Sequence, residues 1–94
     1  MGSRMEVRES KVFSKQIEKA APEVKAKYFT WYKSIEKDGY NAVKIQTTWR
    51  DHPLHGEYEG QRAIKLGGKW RAIYEIKNHI IKFIEMQEIT PHDY

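Results

Sequence analysis

The chain has 94 residues and a formal net charge of +4, with 39% hydrophobic, 13% aromatic and 32% charged residues. This length suits one domain with a single layer of helices on a single sheet, and the apolar content excludes a disordered chain. The absence of cysteine excludes a disulfide framework, a thiolate zinc site and a cysteine nucleophile. Without a long apolar run or a signal peptide, we expect a cytoplasmic protein with no membrane partner.

The first half of the chain has helical periodicity. Residues 1–4 resemble a cloning scar ahead of a second methionine, so we expect one domain over residues 5–94. After a possible short strand at residues 5–8, Phe13 and Ile17 lie four residues apart, as on one face of a short helix. A second helix should begin at Pro22 and end at Asp38-Gly39, because apolar residues recur at helical spacing: Val24, Tyr28, Trp31 and Ile35. Residues 40–46 predict a third short helix, with its buried side formed by Ala42, Val43 and Ile45.

The second half of the chain is typical of strands. Three are predicted, at residues 61–66, 69–76 and 79–90, separated by a Gly67-Gly68 turn and a Lys77-Asn78 turn. Helices followed by strands indicate the α+β class. We therefore expect two or three N-terminal helices packed on a twisted antiparallel sheet of three to four strands.

The register of the first hairpin decides which side chains share a face of the sheet. A two-residue turn would mix apolar and charged residues on one face. A turn of three residues instead pairs Leu66 with Trp70, Ile64 with Ala72, Arg62 with Tyr74, and Lys65 with Arg71. We favour the longer turn because it leaves one face mostly apolar. Two cations that face each other repel unless an anion binds there, so the pair Lys65 and Arg71 predicts an anion site.

The polar residues suited to catalysis lie in the segment 52–60, in the hairpin and near the end of the chain. His52, His55 and His92 are three of the four histidines. Cleavage of RNA by its own 2′-hydroxyl needs a base, an acid and fixed cations around the phosphate. Histidine can take either proton role, and arginine binds phosphate through two hydrogen bonds. The sequence therefore contains enough groups for a ribonuclease site.

Each of these residues also has a purely structural interpretation. His55 is typical of a solvated loop, and His52 can simply shape the loop before a proline. Lys65 and Arg71 could belong to a solvated sheet face, and Glu57 either balances local charge or acts as a base. Nearby aromatic residues are interpreted as core or rim residues: Tyr58, Trp70 and Tyr74. No spacing matches a zinc or calcium signature, so we predict no metal and no other cofactor.

The back half of the chain resembles a known superfamily. The run HPLHGEYEGQRAIKLGGKWRAIYEI, followed by FIEMQEITPHDY, is similar to toxins of the RelE/ParE superfamily, and closest to its RelE and YafQ branches. The match is close over roughly residues 52–94 and covers the front half only by pattern. The resemblance implies helices on a twisted antiparallel sheet, an active surface on its concave side, cleavage of messenger RNA on the ribosome, and neutralisation by an antitoxin.

The resemblance also implies roles for single residues. Arg71 matches a phosphate-stabilising arginine, and Lys65 matches a lysine of RelE-type or a histidine of YafQ-type toxins. His52 matches a histidine of the YafQ pattern, and His92 with Tyr94 match C-terminal positions of the superfamily. We expect Arg71 and Lys65 to stabilise the phosphate, His92 to be the acid, His52 the base with Glu57 in reserve, and Tyr94 to orient the RNA or a proton. Further RNA contacts are expected from Arg62, Lys69, His55 and Glu57. Ala63 departs from the pattern, because some RelE-type toxins have a second functional lysine there.

The function expected from this pattern is that of a toxin from a type II toxin–antitoxin module. It would be a metal-independent endoribonuclease that cleaves messenger RNA on the ribosome, with a cognate antitoxin as protein partner and DNA contact only through the antitoxin complex. One alternative is a ParE-like inhibitor of DNA gyrase, which cleaves nothing. Another is a degenerate toxin kept as an antitoxin-binding or autoregulatory partner. The C-terminal histidine and tyrosine, together with the His52 loop, favour the nuclease.

Overall fold

The computed structural model describes residues 5–89. The helices are α1 (Lys11–Lys19), α2 (Pro22–Asp38) and α3 (Tyr40–Lys44), and the strands are β1 (Glu6–Glu9), β2 (His52–Pro53), β3 (Arg62–Lys65), β4 (Trp70–Lys77) and β5 (Ile80–Glu88). Two 3-10 turns, Thr47–Trp49 and Gly56–Tyr58, flank β2. The predicted bounds of α2 are confirmed: Pro22 lies in its first turn, and Gly39 ends it with φ of 85°. No helix among these residues is long and apolar enough to cross a membrane.

The strands form one sheet with the order β1-β5-β4-β3-β2. The α+β class and the packing of helices on a sheet are confirmed. The predicted number of strands, three to four, was too low, because the described residues contain five. The sheet is also mixed rather than antiparallel, since β1 pairs with β5 in parallel while the other pairs are antiparallel. The short strand expected at residues 5–8 is present as β1, one residue later. The strand that was missed is β2, whose two residues are too few for an alternating pattern.

The helices cover one face of the sheet, and the core between them is aromatic. Phe13 of α1 stacks on Phe83 of β5 with ring centroids 4.9 Å apart, and Trp31 of α2 meets the same ring edge to face at 5.1 Å. Buried aromatic side chains remove much apolar surface from water, and offset or edge contacts add to that stability. Where β1 ends, the Gln16 amide bonds both backbone groups of Met86, at 2.6 Å and 3.1 Å. This contact gives hydrogen-bond partners to the Met86 amide and carbonyl, which β1 does not reach, and it fixes α1 on the sheet.

Two local predictions about apolar residues and turns were wrong. Of the three apolar residues assigned to the buried side of the third helix, only Val43 is buried, while Ala42 and Ile45 are exposed. A helix of five residues presents little more than one turn to the core, so one face cannot hold all three.

The second turn consists of Asn78 and His79, one residue later than predicted. Both have positive φ, 51° and 62°, as a two-residue hairpin turn requires.

Candidate active site

The β3–β4 hairpin carries the predicted register, with Lys65 opposite Arg71 and Ile64 opposite Ala72. A three-residue turn joins the strands, and the amide of Leu66 donates to the carbonyl of Trp70 at 3.0 Å. Gly67 allows this turn because its φ of 104° is unfavourable for other residues. Ile64 and Ala72 therefore face the helices, while both cations lie on the opposite face of the sheet.

Arg71 is the centre of a hydrogen-bonded row on that face. Its Nη2 donates to Oε1 of Gln87 on β5 at 2.8 Å, and Nε2 of Gln87 donates to the Tyr58 hydroxyl at 2.9 Å. The Nε of Arg71 is buried and has no hydrogen-bond partner within residues 5–89. An unsatisfied buried donor costs on the order of 1–3 kcal/mol. The guanidinium is therefore held in place by Gln87, with one buried donor left unsatisfied within the described residues.

His52 lies on the same face, at the edge of the sheet, where β2 pairs it with Ala63. Its Nδ1 is 2.7 Å from the carbonyl oxygen of Arg50. Because a carbonyl only accepts, Nδ1 carries the proton, and in the neutral ring Nε2 is then the basic nitrogen. Arg50 itself has left-handed backbone geometry, with φ of 50°, which ends the preceding 3-10 turn. The backbone thus fixes which nitrogen of His52 can accept a proton.

A cleft of about 410 Å³ brings three of the predicted catalytic residues together. It is lined by Arg50, Asp51, His52, Ile64, Lys65, Arg71 and Ile89. Arg50, Lys65 and Arg71 supply positive charge, and Asp51 is the one acidic residue among these lining residues. Ile89, the last described residue, also lines the cleft, and its amide donates to the carbonyl of Lys69.

The carboxylate of Asp51 is engaged inside the protein rather than in the cleft. Its side chain is 0% exposed and accepts from Nε of Arg62 at 2.6 Å and from the hydroxyl of Tyr74. The Tyr74 hydroxyl is also 2.7 Å from that of Tyr40 on α3. Because Asp51 precedes His52, this network ties the start of β2 to the hairpin and to α3. It also neutralises the acid nearest the cleft, which leaves the cleft positive.

The same network perturbs the ionisation of its members. Burial raises the pKa of Tyr74 far above its ordinary value of 10.0, and its bonds to Asp51 and Tyr40 raise it further. The pKa of Tyr40 is raised, chiefly by burial. Burial alone would lower the pKa of Arg62, but its ion pair with Asp51 outweighs this and raises it. The two tyrosines therefore stay neutral and Arg62 stays charged throughout the physiological range.

The residues predicted to bind RNA are not brought together in the cleft. Arg62 shares the helix-facing side of β3 with Ile64, where it pairs with Asp51. Lys69 lies in the hairpin turn, with Nζ 3.3 Å from Oε1 of Glu88. His55 and Glu57 are exposed in the loop around the second 3-10 turn and do not line the cleft. The predicted catalytic residues His92 and Tyr94 lie outside the described residues.

Four residues of the site were missed by the sequence analysis: Arg50, Asp51, Tyr58 and Gln87. Gln87 has a readable signal, because the alternation along β5 places it in line with Arg71 and Lys65. Tyr58 was interpreted as a core or rim residue, and only its contact with Gln87 reveals a polar role. Nothing local in the sequence reveals that Asp51 bonds residues of β3 and β4. Among residues 5–89 there is also no group of three histidine or acidic side chains that could hold a metal ion.

Together these groups suit chemistry on a phosphodiester. Two opposed cations can share one anionic group that neither alone binds as tightly. His52 adds a proton acceptor at the edge of this anion site. The described part of the site thus provides charge stabilisation and one proton-transfer group.

Comparisons with known proteins give the chain a family. No curated protein matches it in sequence. The DinJ–YafQ toxin–antitoxin complex of E. coli contains a chain with 21% identity and a TM-score of 0.63, over 92% of this chain and 93% of that one. The YoeB dimer of Staphylococcus aureus is 14% identical, with a TM-score of 0.69 over 94% of this chain and 100% of that one. The RelB–RelE complex of Methanococcus jannaschii is also 14% identical, with a TM-score of 0.69 over 86% and 88% of the two chains.

At these identities the solved structures establish a shared fold. The family itself is established by sequence, because the family described as the YafQ bacterial toxin of type II toxin–antitoxin systems matches residues 5–94. That match includes the helical half, where the sequence analysis found similarity only by pattern. The chain therefore belongs to the YafQ family of toxins from bacterial type II toxin–antitoxin systems.

Proposed function

We propose that this toxin is an endoribonuclease that cleaves messenger RNA on the ribosome without a metal ion, and so inhibits translation. The observation that carries the proposal is the opposed pair Lys65 and Arg71, which lines one cleft together with His52. A phosphate bound between the two cations relieves their mutual repulsion. On a surface with only a structural role, nothing would offset the loss of stability that this repulsion causes.

In the proposed reaction the RNA supplies its own nucleophile. Nε2 of His52 takes the proton of the 2′-hydroxyl as the 2′-oxygen attacks the adjacent phosphorus. Lys65 and Arg71 stabilise the extra negative charge on the phosphorane, and the bond from phosphorus to the 5′-oxygen breaks. The leaving oxygen takes a proton from a general acid. The products are a 2′,3′-cyclic phosphate and a 5′-hydroxyl.

We assign the general acid to His92 and an orienting role to Tyr94. The support is the position of Ile89, the last described residue, in the lining of the cleft, together with the resemblance of His92 and Tyr94 to C-terminal positions of the superfamily. Glu57 is exposed away from the cleft, so it is a weaker candidate for the base than His52.

The proposed partners follow from the family and the charge. The YafQ and RelE structures are complexes with the antitoxins DinJ and RelB, and we propose a cognate antitoxin for this toxin as well. The cations of the cleft suit both an RNA and an acidic segment that shields them. Action on ribosomes places the protein in the cytoplasm, and contact with DNA would pass through the antitoxin complex.

Expression in cells tests the proposal directly. Messenger RNA 5′ ends are mapped after induction of the wild-type toxin and of an Arg71→Ala variant, and supercoiling of a reporter plasmid is measured in the same cells. We expect new RNA ends with wild type only, and normal supercoiling. Altered supercoiling without new RNA ends would indicate a gyrase inhibitor instead and would overturn the proposal.

A further inference from the structure

A second groove adjoins the cleft on the side of α3. It has a volume of about 570 Å³ and is lined by Lys44, Ile45, Gln46, Thr47, Arg50 and Asp51. Arg50 and Asp51 line both cavities, so the groove and the cleft are neighbours on the surface.

The groove has an apolar centre between two cations. The Ile45 side chain is 79% exposed, more than Phe29 at 60% or Val12 at 57%. Lys44 and Arg50 flank it, whereas the acidic Asp51 is buried and paired with Arg62. The net character of this surface is therefore positive and apolar together, which does not suit a cationic or purely polar ligand.

We propose that this groove, the α3 groove, binds the nucleotide next to the cleavage site of the same RNA. Bases pack on apolar side chains and on guanidinium planes, while lysine and arginine bind the phosphates between them. Ile45 and Arg50 offer the first kind of contact, and Lys44 the second. The inference rests on the proposed nuclease function, because it extends the path of that substrate beyond Arg71.

RNA fits the groove better than a protein segment for two reasons on this surface. The groove shares Arg50 and Asp51 with the cleft that contains the anion site, so neighbouring nucleotides of one strand can contact both. Its exposed apolar surface is a single isoleucine, whereas a protein segment needs a broader apolar area to dock stably. The carbonyl of Arg50 also orients the ring of His52, the proposed general base. A nucleobase packed on Arg50 would therefore contact the residue that positions His52.

The test measures RNA contact and cleavage for groove variants. The groove variants are Ile45→Ala and Lys44→Gln, and the matched controls are Val12→Ala and Lys33→Gln, exposed residues that line neither cavity. Ribosomes are programmed with a message carrying a 2′-deoxy sugar at the cut position and 4-thiouridine at one neighbouring position, on either side in turn. We expect ultraviolet light to crosslink the wild-type toxin to one of these positions through residues 44–50.

On unmodified message the groove variants should raise KM by about 5- to 10-fold, the lower end of the range for loss of one base contact. The melting temperatures of Ile45→Ala and of both controls should match wild type, because those three side chains are exposed. Lys44→Gln should melt close to wild type, because the half-buried Lys44 loses only a contact at 5.9 Å with the Tyr40 ring. The inference would be overturned if wild type cleaves the message, both groove variants have an unchanged KM, and the crosslinks are confined to β3 and β4. The nuclease function would then remain intact. Normal KM with lost neutralisation by the antitoxin would identify the groove as a protein contact. Wild-type toxin that cuts no message would overturn the nuclease function itself.

Discussion

Alanine substitutions of two arginines in the same hairpin, Arg62 and Arg71, should affect different properties, one stability and the other activity. They lie nine positions apart on neighbouring strands but on opposite faces of the sheet. Arg62 pairs with a carboxylate that is 0% exposed, whereas Arg71 faces Lys65 and has an unpartnered Nε within the described residues. We expect Arg62→Ala to lose stability and Arg71→Ala to lose activity.

The magnitudes follow from these contacts. Removing one partner of a buried ion pair costs about 3–5 kcal/mol, and because the Arg62 side chain is 24% exposed we expect about 3 kcal/mol. For a domain of this size each kcal/mol lowers Tm by roughly 4–8 °C, so Arg62→Ala should melt about 12–24 °C lower. Arg71→Ala loses its bond to Gln87 but also an unsatisfied donor and a like-charge contact. These terms oppose each other, and the net change should be within about 1 kcal/mol.

The assay combines thermal unfolding of both purified variants with growth inhibition in cells. A double variant, Asp51→Asn with Arg62→Met, is the control, because removal of both charges should recover part of the stability that Arg62→Ala loses. An Arg71→Ala protein that unfolds, or an Arg62→Ala protein that melts like wild type, would refute the assignment of the two faces.

Three further predictions concern single side chains. Replacing His52 with glutamine should slow cleavage by roughly 10²- to 10⁴-fold, the usual effect of losing a general base. The melting temperature should be unchanged. Cleavage at the wild-type rate would show that His52 has no role in the mechanism. Tyr58→Phe removes the hydroxyl that accepts from Gln87, so Gln87 should be held less firmly. Single-turnover rates should show cleavage slowed by about 10-fold, and urea unfolding should show a loss of no more than about 1 kcal/mol of stability. Burial raises the pKa of Tyr28 and of Tyr74 far above 10.0, so more protons are bound by the folded than by the unfolded chain above that pH. The contribution of these two tyrosines to stability should therefore be constant below about pH 10 and fall above it. In a spectrophotometric titration both should ionise only as the protein unfolds, and ionisation without unfolding would contradict their burial.

The hairpin shows how far the sequence alone can lead. Alternation of apolar and charged residues was enough to predict that Lys65 faces Arg71, because a slip of one residue would bury a charge. The same register places Arg62 beside Tyr74 on the helix-facing side, which conflicts with its expected contact to RNA. The conflict was visible in the sequence, since residues two apart on a strand share a face.

Other features depend on contacts that no local pattern encodes. Asp51 bonds residues from β3 and β4, and β1 pairs with β5 from the opposite end of the chain. Such pairings form because packing of the helices on the sheet brings distant segments together. The exposed position of Ile45 likewise follows from the shortness of α3 and could not be inferred from its hydrophobicity.

In the proposed reaction the RNA's own 2′-hydroxyl is the nucleophile, and Lys65 and Arg71 stabilise the charge that develops. The most direct measurement compares two ribosome-bound messages that differ by one 2′-deoxy sugar at the cut position, in EDTA with the ribosomes kept intact by other means. We expect the unmodified message to be cut, leaving a 2′,3′-cyclic phosphate or its 3′-phosphate product, and the deoxy message to bind but resist cleavage. Normal cleavage of the deoxy message, or products with 3′-hydroxyl ends, would show that water is the nucleophile and that the proposed mechanism is wrong.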